Sequence, residues 1–167
     1  MILAFDTYYE TDYAHTVCLQ FKKWSDKEPE DIWQERMSFT SDYVSGELYK
    51  RELPCILSLL STIDFNELEA IVIDGFVFLD DDGKLGLGAH LYEALEERIP
   101  IIGVAKSNFA TIYTLKRTLF RGDSYRPLFI TSVGIDIDTA TENIRNMDGA
   151  FRIPTLLKLL DRITKSK

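Results

Sequence analysis

The chain has 167 residues, of which 46% are hydrophobic, and a formal net charge of −8. This length is typical of a single domain, here residues 1–167. No apolar run approaches the roughly twenty residues of a membrane span, so we expect no membrane partner. The negative charge argues against a general nucleic-acid coat protein but not against an enzyme whose acids hold metal ions. Cys18 and Cys55 lie in apolar patterns, which favours small core residues and a cytoplasmic protein.

The N-terminal part of the chain shows the two-residue alternation of β-strands. Residues 1–9 form a mostly apolar run, residues 12–21 alternate strictly, and residues 33–39 alternate again after the turn DKEPED. Strands that follow each other so closely are expected to pair as an antiparallel meander.

Helical spacing begins after this meander. Pro54 suits the first position of a helix, where its missing N–H costs nothing, and apolar residues follow at helical spacing up to Ile63. The run EAIVIDG predicts a buried parallel strand that ends at Asp74. A helix over about 88–97 follows, and IPIIGVAKS then predicts a second buried strand that ends in Lys106.

The C-terminal part is predicted to add one strand, RPLFITSVG, and two closing helices over 139–147 and 154–165, whereas 110–124 show no clear pattern. Three antiparallel strands followed by alternating helices and parallel strands describe an α/β domain with a mixed sheet. This is the element order of the ribonuclease H-like fold. Ligands of such sheets bind at the carboxyl ends of the parallel strands, where Asp74 and Lys106 fall.

Four residues near strand or helix ends could carry chemistry: Asp6 in LAFDT, Glu52 in KRELP, Asp74 in IVIDG and Lys106 in GVAKS. The three acids are candidate ligands for one or two Mg²⁺ ions, because hard cations prefer carboxylate oxygens. Ions held in this way activate water and stabilise an in-line phosphoryl displacement, and a lysine nearby would stabilise charge on the phosphate. Taken singly, each residue also fits a plain role as a hydrogen-bonded strand acid, a solvated helix acid or a surface lysine.

Five segments of the chain can be compared with known motifs: AFDT (4–7), YVSGELYKRE (43–52), DGFVFLDDDGKLGLGAH (74–90), IPIIGVAKS (99–107) and RIPTLLKLLD (152–161). In this order they resemble the motifs V-D, YIPGxLxxRE, DG with KLGIASH, IPTIGVAKS and RIPEPTRLAH of the endonuclease V family. Members of this family cut nucleic acid near deaminated (inosine) bases. The resemblance covers nearly the whole chain, and its two central motifs are specific in combination.

The resemblance implies a ribonuclease H-like monomer that uses Mg²⁺, with Mn²⁺ as an alternative, on DNA or RNA containing inosine, in a DNA-repair type of reaction. Carried over residue by residue, Asp6, Glu52 and Asp74 would be the metal carboxylates and Lys106 would contact the scissile phosphate. Tyr43 would belong to a wedge that parts the strands beside the lesion. Other nucleic-acid or base contacts would come from Arg51, Gly75, Leu85, Gly86 and Ser107.

The sequence also departs from the family pattern. TSVGID places Ile135 where the family has a histidine after its SPG turn, so Asp136 is the candidate substitute ligand. The acidic loop 80–82 replaces a second family histidine and is expected to repel phosphate unless it binds cations. The wedge has Asp42 and Ser45 in place of its prolines.

These departures leave two alternatives open. One is a catalytically weak relative that binds nucleic acid or a protein partner without cleavage. The other is a nuclease that acts on RNA or ordinary DNA ends without a preference for inosine.

Overall fold

A computed structural model describes residues 1–38 and 48–166, and within this part seven strands form one mixed sheet flanked by four helices. The elements are β1 (Ile2–Tyr9), β2 (Tyr13–Phe21), β3 (Asp31–Ser38), α1 (Leu48–Leu60), β4 (Ala70–Asp74), α2 (Leu87–Ala94), β5 (Ile101–Ala105), β6 (Arg117–Leu119), β7 (Leu128–Val133), α3 (Ile137–Arg145) and α4 (Thr155–Thr164). The strand order across the sheet is β3-β2-β1-β4-β5-β7-β6.

The first three strands form the predicted antiparallel meander, β1 with β2 and β2 with β3. The side chains of β3 alternate between half-buried and exposed positions, as expected of an edge strand with one covered face. Those of β2 are almost all buried, because β2 lies inside the sheet between β1 and β3.

The parallel part of the sheet is smaller than predicted. β1, β4 and β5 are parallel, but β7 is antiparallel to β5, with Val133 beside Ile101 and Phe129 beside Ala105. The antiparallel direction of β7 follows from the segment that connects it to β5. Residues 106–127 contain the short strand β6 and no helix that could form a parallel crossover. The end of β7 therefore lies at the opposite edge of the sheet from the ends of β1, β4 and β5.

The alternation of strand side chains divides the core into two layers. Odd-numbered residues of β1 and β4 pack with α1 and α2, and even-numbered residues pack with α3 and α4. Cys18 and Cys55 are buried free thiols, as predicted. Asp6 and Asp74 have even numbers, so their side chains emerge on the face that α4 covers.

Two helix boundaries differ from the sequence prediction. α1 contains Pro54 in its interior rather than at its first position. Tertiary packing extends the helix before the proline, because Tyr49 stacks on His90 of α2 with ring centroids 3.7 Å apart. α2 ends at Ala94, and the backbones of Glu96 and Glu97 just beyond it are left-handed, with φ of 59° and 58°.

Within the described ranges, no helix has both the length and the apolar character that crossing a membrane requires.

Gly88→Ala is expected to destabilise the fold although alanine is the better helix former. An added Cβ would lie 2.6 Å from Val77 Cγ2 and 2.9 Å from Val77 Cα, so the backbone of the neighbouring loop would have to shift. Overpacking costs about 1–3 kcal/mol, against roughly 1 kcal/mol gained in propensity. Thermal unfolding should show a Tm a few degrees below wild type. Glu93→Ala, on the exposed side of the same helix, is the control and should be nearly neutral. A Tm above wild type for Gly88→Ala would contradict this packing.

Candidate active site

Asp6 and Asp74 lie side by side where the parallel strands end. β1 and β4 pair in register up to Phe5 and Ile73, and the two aspartates are the next residues of their strands. Adjacent strands are about 4.8 Å apart, and residues in register point to the same face of a sheet. The apolar strand β4 therefore places its terminal carboxylate beside another carboxylate.

Asp6 is buried, with 8% of its surface exposed. Its Oδ1 accepts a hydrogen bond from the Thr7 N–H and its Oδ2 accepts one from the Thr164 hydroxyl, both at 3.0 Å. Burial, and then repulsion by Asp74, raises the pKa of Asp6 to about 6, against the opposing effects of Thr164 and Lys106. The fold thus disfavours the ionised form of Asp6 relative to an aspartate in water.

A small cavity of about 30 Å³ lies between the sheet and α4, lined mainly by apolar side chains such as Val104 and Leu157. Asp6 and Asp74 border this cavity, which explains why desolvation dominates their pKa values. Asp74 reaches solvent at the rim, yet partial desolvation raises its pKa against the opposing charge of Lys106.

Asp161, on α4, faces the two strand aspartates and was not selected from the sequence. Its Oδ1 lies 3.6 Å from Lys106 Nζ and 3.0 Å from Lys165 Nζ. After burial, its charge contributes to the raised pKa values of both Asp6 and Asp74. A signal was present, because Asp161 ends RIPTLLKLLD and stands where the family pattern RIPEPTRLAH has histidine, another metal-binding residue type.

Asp6, Asp74, Asp161 and Lys106 form an acidic cluster on the α4 side of the sheet. Glu52 reaches this cluster from the layer of α1 and α2. It lies on α1 with only 5% of its surface exposed. Burial, followed by repulsion from Asp6 and Asp74, raises the pKa of Glu52 well above the usual range of a glutamate. Burial and the neighbouring carboxylates thus oppose the ionisation of Glu52, and a bound cation would favour it.

Lys106 follows β5 directly, and Arg152 fixes its main chain. The Arg152 guanidinium donates through Nη2 to the carbonyl oxygens of Lys106 and Pro127, and through Nε to that of Arg126. These bonds tie the end of β5 to the start of β7, close to the segment that leads into α4. Ser107, the next residue, is exposed beside the cluster.

The carboxylate oxygens of this site are the type of ligand that Mg²⁺ or Mn²⁺ prefers, although they are not already arranged around one ion position. Among residues 1–38 and 48–166, no three Asp, Glu, His or Cys side chains are close enough together to hold one ion. Mg²⁺ commonly binds one or two carboxylates and completes its shell with waters and substrate phosphates. Asp6 and Asp74 supply two adjacent carboxylates, and their raised pKa values are those of acids that a cation would stabilise.

The fold contradicts the prediction of Asp136 as a substitute ligand. Because β7 is antiparallel, Asp136 emerges at the opposite edge of the sheet, beyond Val133 and Ile101. There it caps α3, and its Oδ2 accepts from the Thr139 N–H at 3.0 Å. Ile135 lies at the same edge and packs against the core. Its presence therefore removes no ligand from the cluster.

The residues predicted to contact the base differ in accessibility. Gly75 has a φ of +121° and open space where a Cβ would be, so a nucleotide could approach its backbone closely. Gly86 is buried, and an added Cβ would lie 2.7 Å from the carbonyl oxygen of Phe76, so packing alone explains this glycine. Leu85 is half-buried and packs against the α1 and α2 layer.

Arg51, another predicted nucleic-acid contact, lies in α1 near its N-terminus. The guanidinium carbon of Arg51 lies 3.9 Å from the centroid of the Tyr9 ring, a cation–π contact. Tyr43 and the rest of the predicted wedge lie outside the described residues.

The acidic loop 80–82 makes internal hydrogen bonds. Asp81 Oδ1 accepts from the backbone N–H groups of residues 113–115 at 2.9, 2.7 and 3.2 Å, and these bonds lower the pKa of Asp81. Asp80 Oδ1 accepts from the N–H groups of Asp82 and Lys84 within its own turn. Asp81 thus holds the loop against the segment that follows Lys106, whereas Asp80 stabilises the turn of the loop itself.

The sheet order, the acids at the ends of β1 and β4 and the lysine after β5 define a ribonuclease H-like fold with an acidic edge, as predicted. A family model described as endonuclease V matches residues 1–162, and the chain belongs to the endonuclease V family.

Solved structures of this family share the fold. Endonuclease V of Ciona intestinalis, in complex with a 24mer DNA containing an inosine followed by a ribo-adenosine, has a TM-score of 0.80 at 16% identity, covering 98% of this chain and 84% of that one. Human ENDOV has a TM-score of 0.74 at 23% identity, with coverage of 98% and 82%. Endonuclease V of Bacillus subtilis has a TM-score of 0.74 at 21% identity, with coverage of 98% and 77%. No curated protein sequence matched the chain.

Asp6→Asn is expected to stabilise the metal-free protein at high pH but not at low pH. The folded-state pKa, about 6, exceeds the ordinary value of 3.8, so the folded protein binds this proton more tightly than the unfolded chain. Ionising Asp6 therefore lowers stability as the pH rises from about 4 to 6, by up to about 3 kcal/mol. Thermal unfolding in chelator should show a higher Tm for the variant at pH 8 and little difference at pH 4.

The matched control is Asp123→Asn, in an exposed turn, which should change the Tm little at either pH. A loss of stability for Asp6→Asn at pH 8 would show that the ionised Asp6 carboxylate stabilises the fold, and would contradict the raised pKa.

Proposed function

We propose that the protein is a metal-dependent endonuclease that hydrolyses a phosphodiester bond near inosine in DNA or RNA. Membership of the endonuclease V family supports a nuclease. The observation that carries the proposal is the adjacency of Asp6 and Asp74, with Asp161 and Lys106 facing them on the same side of the sheet. Acids that repel one another beside a lysine suit a site that binds a cation and a phosphate.

Each residue then has a role that follows from its position. Asp6 and Asp74 would hold Mg²⁺ or Mn²⁺, with Asp161 and Glu52 as further oxygen donors. The bound ion would supply positive charge that activates water and offsets charge on the phosphate. Because ligating carboxylates must be ionised, binding should release protons from Asp6 and Glu52, whose pKa values are raised.

Lys106 and Thr164 supply charge and orientation. The Lys106 ammonium would stabilise negative charge on the scissile phosphate. The hydrogen bond from Arg152 to the Lys106 carbonyl oxygen keeps the main chain of Lys106 in place. The Thr164 hydroxyl oxygen lies 3.0 Å from Asp6 Oδ2 and 2.8 Å from the carbonyl oxygen of Asp161. Since a hydroxyl has one proton to donate, these two acceptors share it, and the orientation of Asp6 depends on the position of α4.

The preference for inosine is supported by the complex of the Ciona relative with inosine-containing DNA. In this chain Gly75 leaves an open approach next to Asp74. Phe76 follows it, and its ring centroid lies 5.8 Å from that of Phe109, which is 40% exposed. An aromatic surface beside an open backbone suits the stacking of an unpaired base.

A second candidate function is binding of nucleic acid without cleavage. The observation that favours it is that the described residues contain no group of three side chains ready to hold a metal ion. A site that seldom fills with metal would bind a substrate without cutting it.

Asp74→Asn and Asp161→Asn are each expected to reduce cleavage by more than about 100-fold, since loss of even an outer-shell partner of a bound metal costs 10–100-fold. The assay compares DNA and RNA oligonucleotides with one inosine against matched plain ones, with Mg²⁺ or Mn²⁺. Asp136→Asn is the control, because Asp136 lies at the other edge of the sheet, and it should keep wild-type activity. Wild-type protein that binds these oligonucleotides and cuts none of them would establish the second candidate instead.

A further inference from the structure

A second lysine, Lys165, reaches the acidic cluster. It is the C-cap of α4, and its Nζ lies 3.0 Å from Oδ1 and 3.1 Å from Oδ2 of Asp161. It therefore engages both oxygens of this carboxylate, whereas Lys106 lies farther away, 3.6 Å from Oδ1. Lys165 lies beyond the family match, which ends at residue 162.

The charge of Lys165 acts beyond its own helix. An Asp and a Lys four residues apart on a helix commonly pair at the surface, and the Asp161 contact alone would be such a pair. Burial raises the pKa of Asp74, on β4, and the charge of Lys165 opposes this shift, as the charge of Lys106 does more strongly. In turn, Asp6 contributes to the raised pKa of Lys165, after the dominant hydrogen bond and charge of Asp161.

The charges in the cluster do not balance. Four carboxylates, on Asp6, Glu52, Asp74 and Asp161, face two ammonium groups, on Lys106 and Lys165. With every group ionised, the cluster lacks the positive charge of one divalent ion. Without Lys165 the deficit would be larger, and a cation would be drawn in more strongly.

We propose that Lys165 is an internal counter-ion that occupies the carboxylate of Asp161 in the metal-free protein and competes with a divalent cation for it. This inference rests on the metal site of the proposed function. An ammonium group and a divalent cation repel each other strongly at a separation of a few ångströms, so they do not share one carboxylate closely. Lys165 thereby lowers the metal affinity of the site and keeps Asp161 turned towards the end of its own helix.

The test is calorimetric titration of Mn²⁺, and separately Mg²⁺, into the full chain. Lys165→Met is expected to bind Mn²⁺ about tenfold more tightly than wild type. This is the size of effect expected when the repulsion between one unit charge and a nearby divalent ion is removed in salt solution. Lys165→Arg keeps the charge and should bind as wild type does. Arg162→Met removes the same charge from an exposed position of α4 and should change the affinity less than twofold.

Lys165→Met should fold, because exposed ion pairs contribute little stability and 54% of this side chain is exposed. A second readout is the metal-free Tm, which should fall slightly in Lys165→Met and be restored by Mn²⁺ at a lower concentration than in wild type.

Equal affinity of wild type and Lys165→Met, or equal gains for Lys165→Met and Arg162→Met, would overturn the inference while leaving the nuclease proposal intact. Metal binding by Lys165→Met with none by wild type would support the inference in its strongest form and contradict an active wild-type nuclease. If neither protein binds metal, Lys165 is not what excludes the ion, and the inference fails.

Discussion

Two carboxylates in adjacent parallel strands, held in register by the sheet, are the constraint around which the rest of the site is arranged. The pairing of β1 with β4 brings Asp6 beside Asp74, and neither strand can slip without moving its apolar residues out of the core. Desolvation opposes the ionisation of both aspartates, and the charge of Asp74 further opposes that of Asp6. The fold thus maintains an arrangement that is unfavourable by itself and that a cation would stabilise.

The other polar groups of this region hold α4 against that edge. His15 donates through Nδ1 to the carbonyl oxygen of Thr164 at 2.9 Å, which joins the end of α4 to β2. The buried Arg121 donates to backbone carbonyls of the segment before α4, those of residues 147, 149, 151 and 152. Arg152 then connects this segment to Lys106. These side chains position Asp161, Thr164 and Lys106 relative to the strand aspartates.

The sequence was sufficient to predict most elements and the strand-borne part of the site. Alternation identified β2 and β3, and apolar runs identified β1, β4 and β5, with Asp74 and Lys106 at the ends of the last two. The direction of β7 was not predictable from its own residues, because it depends on a connection whose sequence shows no regular pattern. Asp136 was named from the comparison with the family motif, and the structure places it at the other edge because β7 is antiparallel.

Asp161 was missed for a different reason. In a helix with a lysine four residues on, an aspartate has the pattern of an ordinary surface pair. The one signal in the sequence was the family comparison, in which Asp161 stands at the position of a histidine. The position of α4 across the sheet shows that this pair faces Asp6 and Asp74. The direction of β7 and the position of α4 are both set by packing between distant segments, which local sequence patterns do not report.

Binding of a divalent cation by Asp6 and Asp74 at the carboxyl edge of the sheet is the property on which the proposed function depends. Crystals of the protein grown with Mn²⁺, with data collected at the manganese absorption edge, would locate the ion. We expect an anomalous peak between these two carboxylates, about 2–2.3 Å from an oxygen of each, with Lys165 displaced from Asp161. A peak at the α3 end of the sheet near Asp136, or none at the cluster, would contradict a metal site at the strand aspartates.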